Sequence, residues 1–251
     1  MGRLLVLGSS YVVPDETHEN THLALLGAAG PVLIDCPGRV MIRLRRAGLD
    51  PYRIGDILLT HFHPDHVDGV PMLIMEQWLK GRTAPLRLHG WRHCLERIEH
   101  LMHAYDCATW PGLFPIEYHA LEEAEGALVL DNADFRIHGW PVKHFVPTLG
   151  LRVEDKATGR VLAYSCDTEP CPSDLKLAQG ADTLIHEAAG AGFGHSNAAQ
   201  AGAVAAEARV QRLVLIHYRT GGADTSGLVA EAQTTFSGPV TLAEDLTTLE
   251  W

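Results

Sequence analysis

Long apolar stretches are missing from this 251-residue chain. The opening segment, Met1-Gly2-Arg3-Leu4-Leu5-Val6-Leu7-Gly8, has only four apolar residues in a row before glycine, too few for a signal h-region or a membrane span. The cytoplasm is therefore the expected location, and no membrane partner is expected. Cysteine is scarce: Cys36, Cys94, Cys107, Cys166 and Cys171 are odd in number and contain no C-x-x-C pair. That pattern argues against a disulfide framework or a thiolate zinc knuckle and for reduced, mostly buried thiols. Basic residues are outnumbered, 20 Lys and Arg against 31 Asp and Glu, for a formal net charge of −11. A protein that grips a long polyanion usually needs a basic surface to displace counterions, so extended nucleic acid is disfavoured as a partner. The one basic cluster, Arg39, Arg43, Arg45 and Arg46, lies on an expected helix and reads as a solvated face. Linkers, low-complexity tracts and fixed-period repeats are lacking too, and with 46% hydrophobic residues the chain reads as one domain over 1–251.

Short apolar runs bounded by turn residues recur and read as strands: Leu4 to Leu7, His22 to Leu26, Val32 to Ile34, Ile57 to Thr60, Leu86 to His89 and Phe135 to His138. The series continues with Leu149 to Val153, Val161 to Tyr164, Thr183 to Ile185, Leu213 to Ile216 and Val240 to Leu242. Helical patterns occupy Arg39 to Ala47, Val67 to Leu79, Trp91 to Tyr105, Ala198 to Ala208 and Ser226 to Phe236. Strands outnumber helices about two to one, with hairpin-like neighbours early and late. An alternating Rossmann sheet fits poorly, and two packed sheets with helices outside fit better.

Histidine is the unusual abundance, 15 residues in the chain, and imidazole is both the commonest metal ligand and a near-neutral acid-base group. At the end of the Ile57 to Thr60 strand stands His61-Phe62-His63-Pro64-Asp65-His66. So many donors in six residues would repel one another once protonated and would be costly to bury without a cation. His61 and His63 alternate on an extended strand end and can point together, whereas Asp65 and His66 lie past Pro64 at a helix start and face a second position. The spacing thus reads as a two-centre site. Three further candidates each follow an expected strand: His144, Asp167 and His217. Strand ends are where a rigid scaffold presents functional groups.

These motifs resemble those of metallo-β-lactamase-fold hydrolases, and within them the subgroup similar to RNase Z and its small phosphodiesterase relatives. The matching segments are Leu7-Gly8-Ser9-Ser10 with Pro14, Leu33-Ile34-Asp35-Cys36, Thr60 to His66, His144 six residues before Gly150, and Ser165-Cys166-Asp167-Thr168. They continue with His186-Glu187-Ala188, Gly194-His195-Ser196 followed by Ala199-Gln200-Ala201, and His217. The resemblance implies an α/β fold, a four-layer αββα sandwich, with the metals at one sheet edge. It implies that His61, His63 and His144 hold one zinc ion, that Asp65, His66 and His217 hold the other, and that Asp167 bridges them. Manganese or iron are alternatives to zinc, and a homodimer is implied. Asp65, His195 and Glu187 are the catalytic candidates. His195 oriented by Glu187 would serve as general acid, since a carboxylate partner raises an imidazole's pKa and fixes its tautomer.

Two departures from the family pattern stand out. Asp35-Cys36-Pro37-Gly38-Arg39-Val40 replaces an Asp-Cys-Gly followed by an acidic residue, Gly and Thr, and only 22 residues separate His144 from Asp167, where tRNA-processing members insert a long gripping arm. The expected substrate is therefore a small or nucleotide-like phosphodiester. The alternatives are hydrolysis of a lactone, thioester or sulfate ester at the same site, or a noncatalytic metal-binding protein. His22 reads as a surface strand residue, His186 as a packed structural histidine, and His89, His93, His100 and His103 as lying outside any metal site.

Overall fold

Alternation along the strands shows how this chain layers itself. The computed structural model describes residues 2–251. In β1 (Arg3–Gly8), Leu5 and Leu7 join one buried cluster while Leu4 and Val6 join another, because successive side chains leave opposite faces of a strand. Both faces are thus covered. The same holds for β2 (His22–Gly27), β3 (Gly30–Ile34) and β4 (Asp56–Leu59), whose burial is nearly continuous, as expected of strands sandwiched between layers.

One sheet has the order β14-β1-β2-β3-β4-β5-β6, with β5 at Leu86–Trp91, β6 at Ile116–Leu121 and β14 at Thr248–Glu250. The other is built from β7 (Ala127–Asp131), β8 (Phe135–Val142), β9 (Thr148–Asp155), β10 (Val161–Tyr164), β11 (Thr183–Glu187), β12 (Arg212–Ile216) and β13 (Val240–Leu242), in that spatial order. Read from β14 and from β7, each sheet makes three antiparallel pairings and then three parallel ones. The two halves repeat a pairing pattern with no repeated sequence.

Helices α1 (Val40–Arg46), α2 (Pro64–Val67), α3 (Val70–Leu79) and α4 (Arg92–Ala104) belong to the first half, and α5 (Pro172–Ala178), α6 (Ala198–Glu207) and α7 (Leu228–Gln233) to the second. Three apolar clusters result: first-half helices on the first sheet, sheet on sheet around Trp91, Leu149 and Tyr164, and the second sheet on α5 to α7. Three interfaces make four layers, the expected αββα sandwich.

Several expectations are corrected. The expected helix from Val67 to Leu79 is two elements, broken at Asp68 and Gly69, where a Cβ on residue 69 would meet the carbonyl of Gly38 at 2.5 Å. Of the basic cluster, Arg39, Arg45 and Arg46 are exposed, but Arg43 is buried. Its guanidinium donates to the Leu7 carbonyl and to Asp245 at 2.5 Å, tying the chain's end to β1. His22 is buried rather than on the surface, its Nδ1 donating to the Asn20 carbonyl. His186 is a packed structural histidine, fully buried and paired with Asp174 at 3.0 Å. Cys36, Cys94, Cys107 and Cys166 are buried free thiols. Among the described residues no helix is long and apolar enough to cross a membrane.

Candidate metal centre

Five strand ends deliver the site. β4 runs into His61 and His63, and Pro64 at the first position of α2 fixes the turn that brings Asp65 and His66 back toward them. β8 delivers His144, β10 delivers Asp167, β11 ends on Glu187 and β12 delivers His217. Three non-glycine residues at these and neighbouring strand ends adopt positive φ: Asp35 at 62°, Cys166 at 55° and His217 at 51°. Such backbone is costly for residues other than glycine, and it concentrates where a side chain must be aimed.

The donors fall into two groups. One ligand atom each from His61, His63 and His144 lies within 4.8 Å of the others, and so do those of Asp65, His66 and His217. In the first group the ring nitrogens face one another, His61 Nε2 to His63 Nδ1 at 3.0 Å and His144 Nε2 to His63 Nδ1 at 3.2 Å. Asp167 lies between the groups: its Oδ2 is 3.9 Å from His61 and from His144, 3.5 Å from His66 and 3.2 Å from His217. Further sets that satisfy the same spacing are His61, His66 and Cys166, and His144, Asp167 and His195.

The opposite nitrogen of several rings is anchored, which sets the tautomer and directs the free nitrogen inward. His66 Nδ1 donates to Asp35 Oδ2 at 2.8 Å, and His144 Nδ1 donates to the Gly194 carbonyl at 2.7 Å. Asp35 in turn accepts from the backbone N–H and hydroxyl of Thr60 at 2.8 Å each. Asp35 belongs to the Leu33-Ile34-Asp35-Cys36 motif, but its task as the orienter of His66 has no spacing signature, because the two meet only in the fold.

Burial, reinforced by neighbouring imidazoles, pushes His61 well below its ordinary pKa, and burial takes His144 to about 4. His66 goes the other way: Asp167 and Asp35 outweigh its burial and hold it well above the usual value. The Asp167 carboxyl, though buried, is held well below the carboxylate range by His217 and His66. Neutral His61 and His144 beside an ionised Asp167 are the protonation states that metal binding requires, whereas His66, which its two carboxylates hold charged, would release its Nε2 proton to a bound cation. Two atoms make the fit specific: His66 Nε2 and Asp167 Oδ1 are buried without any hydrogen-bond partner. Such groups are expensive unless something binds them. A pair of divalent cations fits this donor set.

Beside the cluster, Glu187 is fully buried and its carboxylate accepts from the backbone N–H groups of Thr168 at 2.8 Å and Ala189 at 3.0 Å. Its Oε1 also accepts from His195 Nδ1 at 2.8 Å. The His195 ring stacks on His217 at 6.0 Å and meets His144 edge-on at 4.9 Å, so it lies against rings of both groups. Burial disfavours its charged form, but the Glu187 carboxylate overrides this and raises its pKa above the ordinary value. A cavity of about 430 Å³ opens over Asp65, Asp167, His195 and His217, walled by Tyr11, Val12, Ala189 to Gly192 and Arg219. Arg219 was not singled out in the sequence. Phe145 meets His144 and His195 edge-on at 4.9 and 6.0 Å, and Phe193 meets Phe145 at 5.0 Å; both phenylalanines are largely exposed. His89, with its ring on Asp56 at 2.9 Å, and His93, His100 and His103 on α4 stay outside this site.

The four-layer sandwich and this site define a metal-dependent hydrolase of the metallo-β-lactamase fold, similar to RNase Z. The sequence matches the beta-lactamase superfamily domain over residues 31–218, and the chain belongs to that superfamily. It is 29% identical to the ribonuclease Z of Methanothermobacter thermautotrophicus, with 100% of this chain and 97% of that protein aligned. That alignment spans 306 positions against 251 residues here, so the relative has at least 55 positions that this chain lacks. Among solved structures, the metallo-beta-lactamase fold protein YhfI from Bacillus subtilis superposes with a TM-score of 0.84 at 23% identity, covering 100% of this chain and 99% of that one. A diphosphatase of the PhnP family superposes at 0.73 with 21% identity, covering 100% and 98%.

Proposed function

We propose that this protein is a dinuclear zinc phosphodiesterase acting on a small or nucleotide-like diester. The observation that carries the reading is the Glu187–His195 pair at 2.8 Å, held against rings of both imidazole groups and open to the cavity. In this reading His61, His63 and His144 would hold one ion and Asp65, His66 and His217 the other, with Asp167, which lies between the groups, available to both. When bound, a pair of divalent cations supplies a water of near-neutral pKa and charge that offsets the phosphoryl oxygens.

The chain's own residues supply the rest. Asp65, at the cavity floor, helps orient the attacking water. Glu187 accepts a hydrogen bond from the His195 Nδ1–H and stabilises the imidazolium, whose second proton, on Nε2, is the one that can be given up toward the cavity. That proton passes to the departing alkoxide, a poor leaving group as a bare anion. A raised His195 pKa keeps the donor loaded near neutral pH. Exposed Phe145 and Phe193 offer a stacking surface for a nucleobase or another aromatic leaving group.

The short His144 to Asp167 segment supports a small substrate over a gripped RNA. β9 and β10 account for most of it, joined by a turn over 156–160, and leave no projecting arm. The acidic charge and the positions missing relative to ribonuclease Z point the same way. Metal analysis should find close to two ions per chain. The metal-loaded enzyme should cleave bis-p-nitrophenyl phosphate and leave a lactone and a thioester intact. Preferential lactone or thioester turnover would replace this reading by an acyl-ester hydrolase, and tight metal without any turnover by a noncatalytic metal protein.

A further inference from the structure

Arg219 is two residues beyond His217 and is the one Lys or Arg among the described residues lining the cavity over the imidazole cluster. Some arginines of this acidic chain meet carboxylates, such as Arg43 with Asp245 and Arg87 with Asp56. Arg219 makes no ion pair among the described residues. Its guanidinium is nevertheless held, because Nε donates to the Ala189 carbonyl at 2.7 Å. The wall beneath it is shaped for that pose. Gly190 has φ +115°, and a Cβ there would come within 3.3 Å of Arg219 Nη2. With Nε anchored, both Nη groups remain as an oriented fork toward solvent, the geometry that matches phosphate oxygens in pairs.

The fork stands apart from the imidazole cluster in its bonding. It makes no hydrogen bond or ion pair with any residue of the cluster, and it also lines a second cavity of about 340 Å³ that shares the Ala189 to Ala191 wall. The two acidic residues of that cavity make no ion pair with Arg219: Asp224 accepts from the Ser226 N–H at 2.9 Å and Glu231 from the Ala199 N–H at 3.3 Å. A ligand seated over the cluster can therefore extend past Arg219 into the second cavity, and whatever it carries at that point meets an unpaired cation.

The geometry points to Arg219 as the recognition group for a second phosphate on the substrate, one separate from the scissile diester. The substrate class then narrows, within the phosphodiesterase reading on which this rests, to diesters carrying a terminal phosphate monoester.

Dithymidine monophosphate bearing no terminal phosphate, a 5′-phosphate or a 3′-phosphate separates the outcomes. The metal-loaded enzyme should prefer one phosphorylated form at least ~10-fold in kcat/KM, the scale of a charge-assisted bidentate bond. In Arg219→Gln the ratio should fall to about one, and in Arg219→Lys to an intermediate value, since a point charge replaces the fork. Calorimetric binding of the same three compounds to the His195→Ala enzyme, whose slowed turnover leaves them largely intact over the titration, should give the same order of affinities. Turnover without any preference, or a preference that survives Arg219→Gln, overturns the role of Arg219 and leaves the phosphodiesterase reading standing. An Arg219-dependent preference in binding without turnover by the unaltered enzyme does the reverse. Neither binding nor turnover overturns both.

Discussion

His195 has one ring nitrogen committed to Glu187 and the other facing the cavity, so its contribution can be separated from that of the metal-binding donors. His195→Ala should keep both ions and lose ~10²- to 10⁴-fold in rate on a diester with an alkoxide leaving group. The loss should be much smaller for p-nitrophenolate, which departs without a proton. Glu187→Gln should follow the same pattern to a lesser degree. Equal losses on both substrates would make His195 a binding group, and loss of metal would make it a ligand, as its proximity to His144 and Asp167 would also allow. A second histidine governs stability. Burial lowers the His22 pKa to about 4, with smaller contributions from Arg43 and His66. Above pH ~6.5 both folded and unfolded chains leave it neutral. Between 6.5 and 4 the unfolded chain takes up a proton that the folded one refuses, so stability falls as pH falls through that window. At pH 5 the loss from His22 should be about 2 kcal/mol. Urea unfolding at pH 7 and pH 5 should show that much less pH dependence in His22→Gln than in the unaltered protein; identical slopes would mean that His22 titrates normally.

Asn197 illustrates how an element locks the site. It caps α6, accepting from the Gln200 N–H at 2.8 Å while the Gln200 side chain accepts from the Asn197 N–H at 2.9 Å. Asn197→Ala should cost about 1 kcal/mol, a Tm drop of roughly 2–4 °C for a chain of this size, read by thermal unfolding. The helix from Ala198 was legible in the sequence, directly after Ser196 and Asn197, whereas which of these two capping residue types closes it is settled only by the folded hydrogen bonds. Buried strands were legible too, because β1 to β5 and β8 to β12 carry apolar runs that both neighbouring layers demand. Three elements escaped that logic: β6, β7 and β14. All three are sheet edges with exposed alternate residues such as Glu117, His119 and Leu128, so little apolar pattern marks them. α5 escaped because Pro172-Ser173-Asp174 reads as a turn while serving as its first turn. At the site, the six-residue cluster announced itself by density. Arg219 did not, since its lack of a partner is a property of the folded surroundings.

At the scale of the whole molecule, the donor set straddles the two sheets. His61, His63, Asp65 and His66 hang from the first, His144, Asp167 and His217 from the second. Ions that bind only the folded arrangement stabilise it by mass action, about 4 kcal/mol at a thousandfold excess over Kd. Chelation should therefore lower Tm by roughly 8–16 °C and restoring metal should raise it in a concentration-dependent way. An unchanged Tm would mean that the folded arrangement gains nothing from the ions.

The halves meet in the chain at Glu122 to Gly126, an exposed connection between β6 and β7. Neither fragment made by cutting there has the complete donor set, and β14 from the second fragment must still close the edge of the first sheet. Cutting there should make activity depend on the meeting of the two pieces. Separately expressed pieces should reassemble more tightly when divalent metal is supplied, and hydrolysis would appear only in cells where the two pieces have met.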